Sequence, residues 1–181
     1  EDGTGNDTIA LTLAKTGVDI SSANTTDVDS IALASGVSAT MTIAQHALIT
    51  SAAGNNTVTL SNAGTVSGNA AVEGYVLAAG AQSFTLGASG QNVTLDSTGS
   101  SGSVAISTGT LTSVTGTLDD GTGNDTIALT LATTGVDISS ANTTDVDSIA
   151  LASGVSATMT TAQNALITSA AGTNTVTLSN A

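Results

Sequence analysis

The chain contains no cysteine, no proline and no Trp, and only one Tyr and one Phe among 181 residues. Without cysteine there can be no disulfide, zinc–thiolate centre or cysteine nucleophile. Cations are almost as scarce: Lys15 is the single Lys or Arg, against 14 acidic residues, and the net charge is −13. A surface with one cation cannot neutralise phosphates, which excludes nucleic-acid binding. Anionic membrane surfaces are excluded for the same reason. No apolar run approaches the roughly 18 residues of a membrane span, so no membrane insertion is expected. His46 is the sole histidine. Ser and Thr hydroxyls therefore lack a base, and no enzyme is expected.

What the chain does have is aliphatic residues in a pattern. The hydrophobic share of 40% argues against disorder, because disordered chains lack aliphatics. Thr8-Ile9-Ala10-Leu11-Thr12-Leu13 alternates strictly, as do Thr57-Val58-Thr59-Leu60, Asn92-Val93-Thr94-Leu95 and Ser103-Val104-Ala105-Ile106. A period of two with β-branched residues predicts strands with one buried face. Absence of proline suits strands hydrogen-bonded on both sides.

Residues 1–63 recur at 119–181, an offset of 118, and differ at Glu1/Asp119, Lys15/Thr133, Ile43/Thr161, His46/Asn164 and Asn55/Thr173. The expected organisation is one tandem unit over 1–118, with halves 1–63 and 64–118, followed at 119–181 by the start of the next unit. That organisation suggests a window on a longer array. A weaker internal repeat matches Val28–Gly36 with Val72–Gly80, and Thr57–Leu60 with Ser103–Ile106. The period of 44 to 46 residues predicts coils of about 22 residues. An all-β solenoid of stacked short-strand coils is therefore expected, because ladders of Val, Ile, Leu, Ala and Thr fill a thin interior. Tandem Ig-like β-sandwich domains are the alternative, but their cores usually take larger side chains.

Acidic corners are the candidate sites. Asp27 and Asp29, with Asp145 and Asp147 in the second copy, are spaced by two, which on a strand places both carboxylates on one face. Such a pair could ligate Ca²⁺ between coils, serve as a glycosidase dyad, or form a solvated corner. Asp19 and Asp137 read as outward strand residues. Thr57/Thr59 and Thr110/Thr112 raise a glycan- or ice-binding face, although Thr also favours strands in its own right. Asn-x-Thr sequons occur at Asn6, Asn24, Asn55 and Asn92. Residues 44–48 read as a corner, with one helical turn as the alternative.

Asp2-Gly3-Thr4-Gly5-Asn6-Asp7-Thr8-Ile9-Ala10, repeated as Asp120 to Ala128, resembles the nonapeptide of repeats-in-toxin (RTX) proteins, which binds Ca²⁺ in a parallel β-roll. Here Asp2 or Asp120 replaces the first glycine, and the nonapeptide occurs once per unit. The Val-Asp/Glu-x-apolar-x-Leu segments at 28–33, 72–77 and 146–151 look like strand repeats of very large bacterial surface proteins. The resemblance implies Ca²⁺ ligands at Asp2, Gly3, Gly5 and Asp7, and at Asp120, Gly121, Gly123 and Asp125. Ca²⁺ takes six to eight oxygens at about 2.3–2.6 Å. The alternative at Asp7 is a turn in which its side chain caps its own backbone. The expected function is a structural repeat module of a secreted prokaryotic surface protein or extracellular filament, Ca²⁺-stabilised and located outside the cell. Its partners would be neighbouring repeats or copies joined end to end. The alternative is an adhesin stalk or ligand-binding region, with a glycan or ice surface as partner.

Overall fold

The structure, a computed structural model, describes residues 8–78, 81–96, 102–122 and 125–179. Strands form where aliphatic residues alternate with small polar ones, because each pleat then sends one set of side chains inward. In chain order they are β1 (Ala10–Leu13), β2 (Val18–Asp19), β3 (Ser30–Leu33), β4 (Ser38–Met41), β5 (Ile49–Ala52) and β6 (Thr57–Leu60). Next come β7 (Thr65–Ser67), β8 (Gly74–Ala78), β9 (Ala81–Thr85), β10 (Asn92–Asp96), β11 (Ser103–Ser107) and β12 (Leu118–Asp119). The second copy contributes β13 (Thr126–Leu131), β14 (Val136–Asp137), β15 (Ser148–Leu151), β16 (Ser156–Met159), β17 (Ile167–Ala170) and β18 (Thr175–Leu178). The corner after β4 is the helical turn α1 (Ile43–His46), and that after β16 is α2 (Thr161–Ala165). Each begins in a capping box, Thr42 with Gln45 and Thr160 with Gln163, which satisfies two amides that would otherwise lack partners.

Among the described residues every strand pairing is parallel. Odd-numbered strands form the sheets β1-β3-β5 and β17-β15-β13-β11-β9-β7. Even-numbered strands form β12-β10-β8-β6-β4-β2 and β14-β16-β18. Successive strands thus alternate between two stacks, giving a β-solenoid of about 8 turns spaced about 19 residues apart.

Its core is a set of ladders. Val58, Tyr75, Val93 and Leu118 lie in register in the even stack, and Phe84, Ile106, Leu129 and Ile149 do so in the odd one. All eight are buried. Burying such a side chain contributes roughly 1.5–3 kcal/mol relative to leaving it in water.

The turns are shorter than the internal repeat suggested. Val28–Gly36 contains β3 and Val72–Gly80 contains β8, so that match superposes a strand of one stack on a strand of the other. Thr57–Leu60 is β6 and Ser103–Ile106 lies in β11, which repeats the same relation. The 44-to-46-residue period therefore runs from stack to stack and is not a whole number of turns. The 118-residue period does return each strand to its own stack, β1 to β13 and β6 to β18.

Both stacks are interrupted once. β5 and β7 belong to different sheets, and Asn69 Nδ2 donates to the Ile49 carbonyl there, 2.9 Å away. Beside this break lie His46, Tyr75 and Phe84. Tyr75 is 4.8 Å from Phe84 and 5.5 Å from His46 between ring centroids. The Tyr75 hydroxyl accepts from Asn69 N at 2.7 Å and meets His46 Nε2 at 2.9 Å. Either group can donate in the His46–Tyr75 bond, according to the imidazole tautomer. Burial pushes the His46 pKa down.

Candidate metal centre

The acids gather where the two copies of the repeat meet. β12 ends on Asp119, and Asp120 follows as the chain leaves the sheet. Gly121 turns it with φ +76, a left-handed conformation that residues with a Cβ rarely adopt, and its N–H donates to Asp119 Oδ1 at 2.8 Å. Asp145 lies in the turn preceding β15. Asp119, Asp120 and Asp145 bring a carboxylate oxygen each to within 4.8 Å of one another.

Asp125 stands beside this group and is buried. Its Oδ1 accepts from Gly102 N, at an approach so close that a Cβ on Gly102 would lie 3.2 Å from that oxygen. Asp125 Oδ2 is buried with no hydrogen-bond partner among the described residues. A buried carboxylate oxygen left unpaired costs several kcal/mol in round terms. Burial, followed by the charges of Asp145, Asp119, Asp125 and Asp147, raises the Asp120 pKa. Like charges held this close are what a divalent ion would neutralise, and an all-oxygen donor set matches a hard cation.

Other expected ligands are placed differently. Asp29 and Asp147 do not share a strand face with Asp27 and Asp145: residues 27 and 145 lie in turns, and 29 and 147 precede β3 and β15. Asp29 Oδ2 accepts from Ile9 N and Asp147 Oδ2 from Ile127 N, each at 2.8 Å. Both carboxylates thus tie one turn to the turn before it. Asp2, Gly3, Gly5, Asp7 and Gly123 lie outside the described residues. Asp19 and Asp137 are exposed on β2 and β14, and the hydroxyl and then the N–H of Ser21 and of Ser139 hold these carboxyls below the usual range. Asp119 was not expected as a ligand; the available signal was a second Asp beside Asp120, where the first copy has Glu1.

The outward Thr face is irregular. In the even stack Thr40, Thr59, Val76, Thr94 and Asp119 follow one another in register, so Val76 interrupts the row and an acid replaces Thr at its end. Thr110 and Thr112 lie outside the strands. Among the described residues no helix is long and apolar enough to cross a membrane. Comparison with protein-family models, curated proteins and solved structures finds no match to this chain.

Proposed function

We propose that this chain is a structural repeat module of a secreted prokaryotic surface protein or extracellular filament, and that Ca²⁺ bound by Asp119, Asp120 and Asp145 stiffens the joint between units. The observation that carries the reading is the 118-residue period, which returns each strand to its own stack with the pairing parallel on either side of the interruptions. Turn can then follow turn without a change of architecture, and length is gained without a new core. Near-absence of Lys and Arg leaves trypsin a single site, Lys15, which suits a protein outside the cell. The mechanism is mechanical: backbone ladders carry tension along the stack while aliphatic rows exclude water.

Calcium supplies charge neutralisation at the joint. At a concentration about 100 times its dissociation constant, Ca²⁺ is expected to stabilise by about 2.7 kcal/mol, or roughly 5–10 °C in melting temperature for a chain of this size. Thermal melts followed by circular dichroism in Ca²⁺ and in excess chelator test this. Asp120→Asn with Asp145→Asn should abolish the response without lowering the melt in chelator. Because the folded Asp120 pKa is raised, the folded state binds this proton more tightly than the unfolded one. In chelator, stability should therefore rise as pH falls through that raised pKa, and the penalty is fully present above it. Identical melts with and without Ca²⁺ would remove calcium from the account.

A further inference from the structure

The break in the odd stack is held by side chains. β5 and β7 belong to different sheets, while β4, β6 and β8 continue side by side in the even stack. A relay of three hydrogen bonds spans the gap. His46 Nε2 meets the Tyr75 hydroxyl at 2.9 Å, Asn69 N donates to that hydroxyl at 2.7 Å, and Asn69 Nδ2 donates to the Ile49 carbonyl at 2.9 Å. His46 ends α1 and Ile49 opens β5, so the relay leaves this corner, crosses to the next turn and comes back. Asn69 is itself fixed from beyond the break: its Oδ1 accepts from Ala71 N at 3.0 Å, and its carbonyl accepts from Gln91 Nε2 at 2.7 Å.

One end of this clasp titrates near neutrality. Neutral imidazole carries one N–H and imidazolium carries two. In the buried His46 ring only Nε2 has a hydrogen-bond partner among the described residues. A second N–H with a positive charge therefore has nothing to meet where the ring sits. The acids and the phenol around it do not compensate. Tyr75 stays neutral, because burial raises its pKa, and Glu73 is turned to Asn56 N, which donates to its Oε2 at 2.8 Å. Asp29, just ahead of the β3 strand that pairs with β5, accepts from Ile9 N. Burial acts alone on His46 and favours the neutral ring. A cavity of about 300 Å³, lined by Ile43, His46, Ile49, Val66 and Asn69 among others, gives the imidazole room to turn out of the break.

We propose that this clasp is a pH-operated latch: protonation of His46 frees α1 from Tyr75 and loosens the odd stack between β5 and β7, while the even stack holds the rod together. Because the His46 pKa is lowered by folding, the folded state binds this proton less tightly than the unfolded one. The latch is therefore fully closed above about pH 6.5 and loosens as pH falls from there towards the lowered folded value. Within that window each pH unit raises the open fraction by up to about tenfold. The response belongs to individual units. The second copy carries Asn164 where the first has His46, and an amide does not titrate in this range, so an array of such units would loosen in acid only at its histidine-bearing joints.

The chain has one His, one Tyr and no Trp, so the His46 ring resonances and the Tyr75 emission each report on the latch without overlap. The test follows both, together with amide hydrogen exchange at Asn69, in the full chain and in His46→Asn between about pH 7.5 and pH 5. In the parent chain the His46 ring should titrate below pH 6.5. Opening measured at the Asn69 amide should rise by up to about tenfold per pH unit below that value, while the amides of β11 and β13 keep their protection. His46→Asn should give a flat profile over the same range. A ring that titrates at or above its ordinary value, no rise at Asn69 in the parent chain, an equal rise in His46→Asn, or loss of protection at β11 and β13 together with Asn69 would each overturn the proposal. The ring titration decides the matter even if the variant does not fold. None of these outcomes alters the length gained per added unit, so failure here is separable from failure of the module reading.

Discussion

Gln91→Leu is expected to destabilise the fold by roughly 2–6 kcal/mol in urea denaturation, although it adds no bulk and removes no charge. Gln91 is 1% exposed. Its Oε1 accepts from Gly87 N at 2.7 Å, and its Nε2 donates to the carbonyls of Asn69 at 2.7 Å and Val72 at 2.8 Å. Leucine leaves the Gly87 amide and the Val72 carbonyl without these partners, each at a cost of about 1–3 kcal/mol, while the Asn69 carbonyl keeps Val72 N. The wiring recurs. Gln45 Nε2 donates to Ile20 and Ala23 while Oε1 accepts from Thr42 N. Gln163 repeats this on Ile138, Ala141 and Thr160. In all three the paired carbonyls bound a tight turn of the preceding coil, closed by Ala23 N on Ile20, Val72 N on Asn69 and Ala141 N on Ile138. A buried glutamine therefore does at the corners what backbone ladders do along the strands. A loss below about 1 kcal/mol would mean that water reaches these groups in the variant.

Phe84→Ala is the second large effect, at about 3–5 kcal/mol. Phe84 is 1% exposed and stacks between Val66 and Ile106. Its ring also closes the space beside the interrupted odd stack, against Tyr75. The cavity left by Ala cannot collapse easily, because strands locked in parallel ladders fix the spacing of their side chains. Phe84→Leu, which refills part of the volume, should recover more than half of the loss. Against a total stability of about 5–15 kcal/mol, the Ala variant should show a clearly lower melting midpoint. An unchanged midpoint would mean that the aromatic cluster is not packed as described.

How much of this was legible in the sequence depends on distance along the chain. Period-two segments such as Thr57–Leu60 announced strands, and the scarcity of large side chains announced a thin stacked core in place of a sandwich. Those signals are local. Contacts between turns join residues about 19 apart, and nothing in one sequence marks which side chains will meet across that interval. Asp27 and Asp29 were read as a pair because they are neighbours in sequence, whereas the stack sends Asp147 to Ile127 N and leaves Asp145 facing Asp119 and Asp120. The glutamines were invisible for the same reason: Gln91 reaches back to Asn69 and Val72, and no spacing rule links them. The turn length was misjudged because β3 resembles β8, and resemblance between strands does not record which stack each one joins. The helical turn at Ile43–His46 was within reach, since Thr42 and Gln45 carry the capping-box spacing.

The central claim is that repeating this sequence lengthens one stack. Small-angle scattering from this chain and from the chain carrying one further 118-residue unit tests it directly. At about 19 residues per turn the added unit makes about six turns, so the maximum dimension should grow by about 29 Å with an unchanged cross-section. A particle that instead thickens, or that gains a second globule joined by a flexible link, would contradict the account.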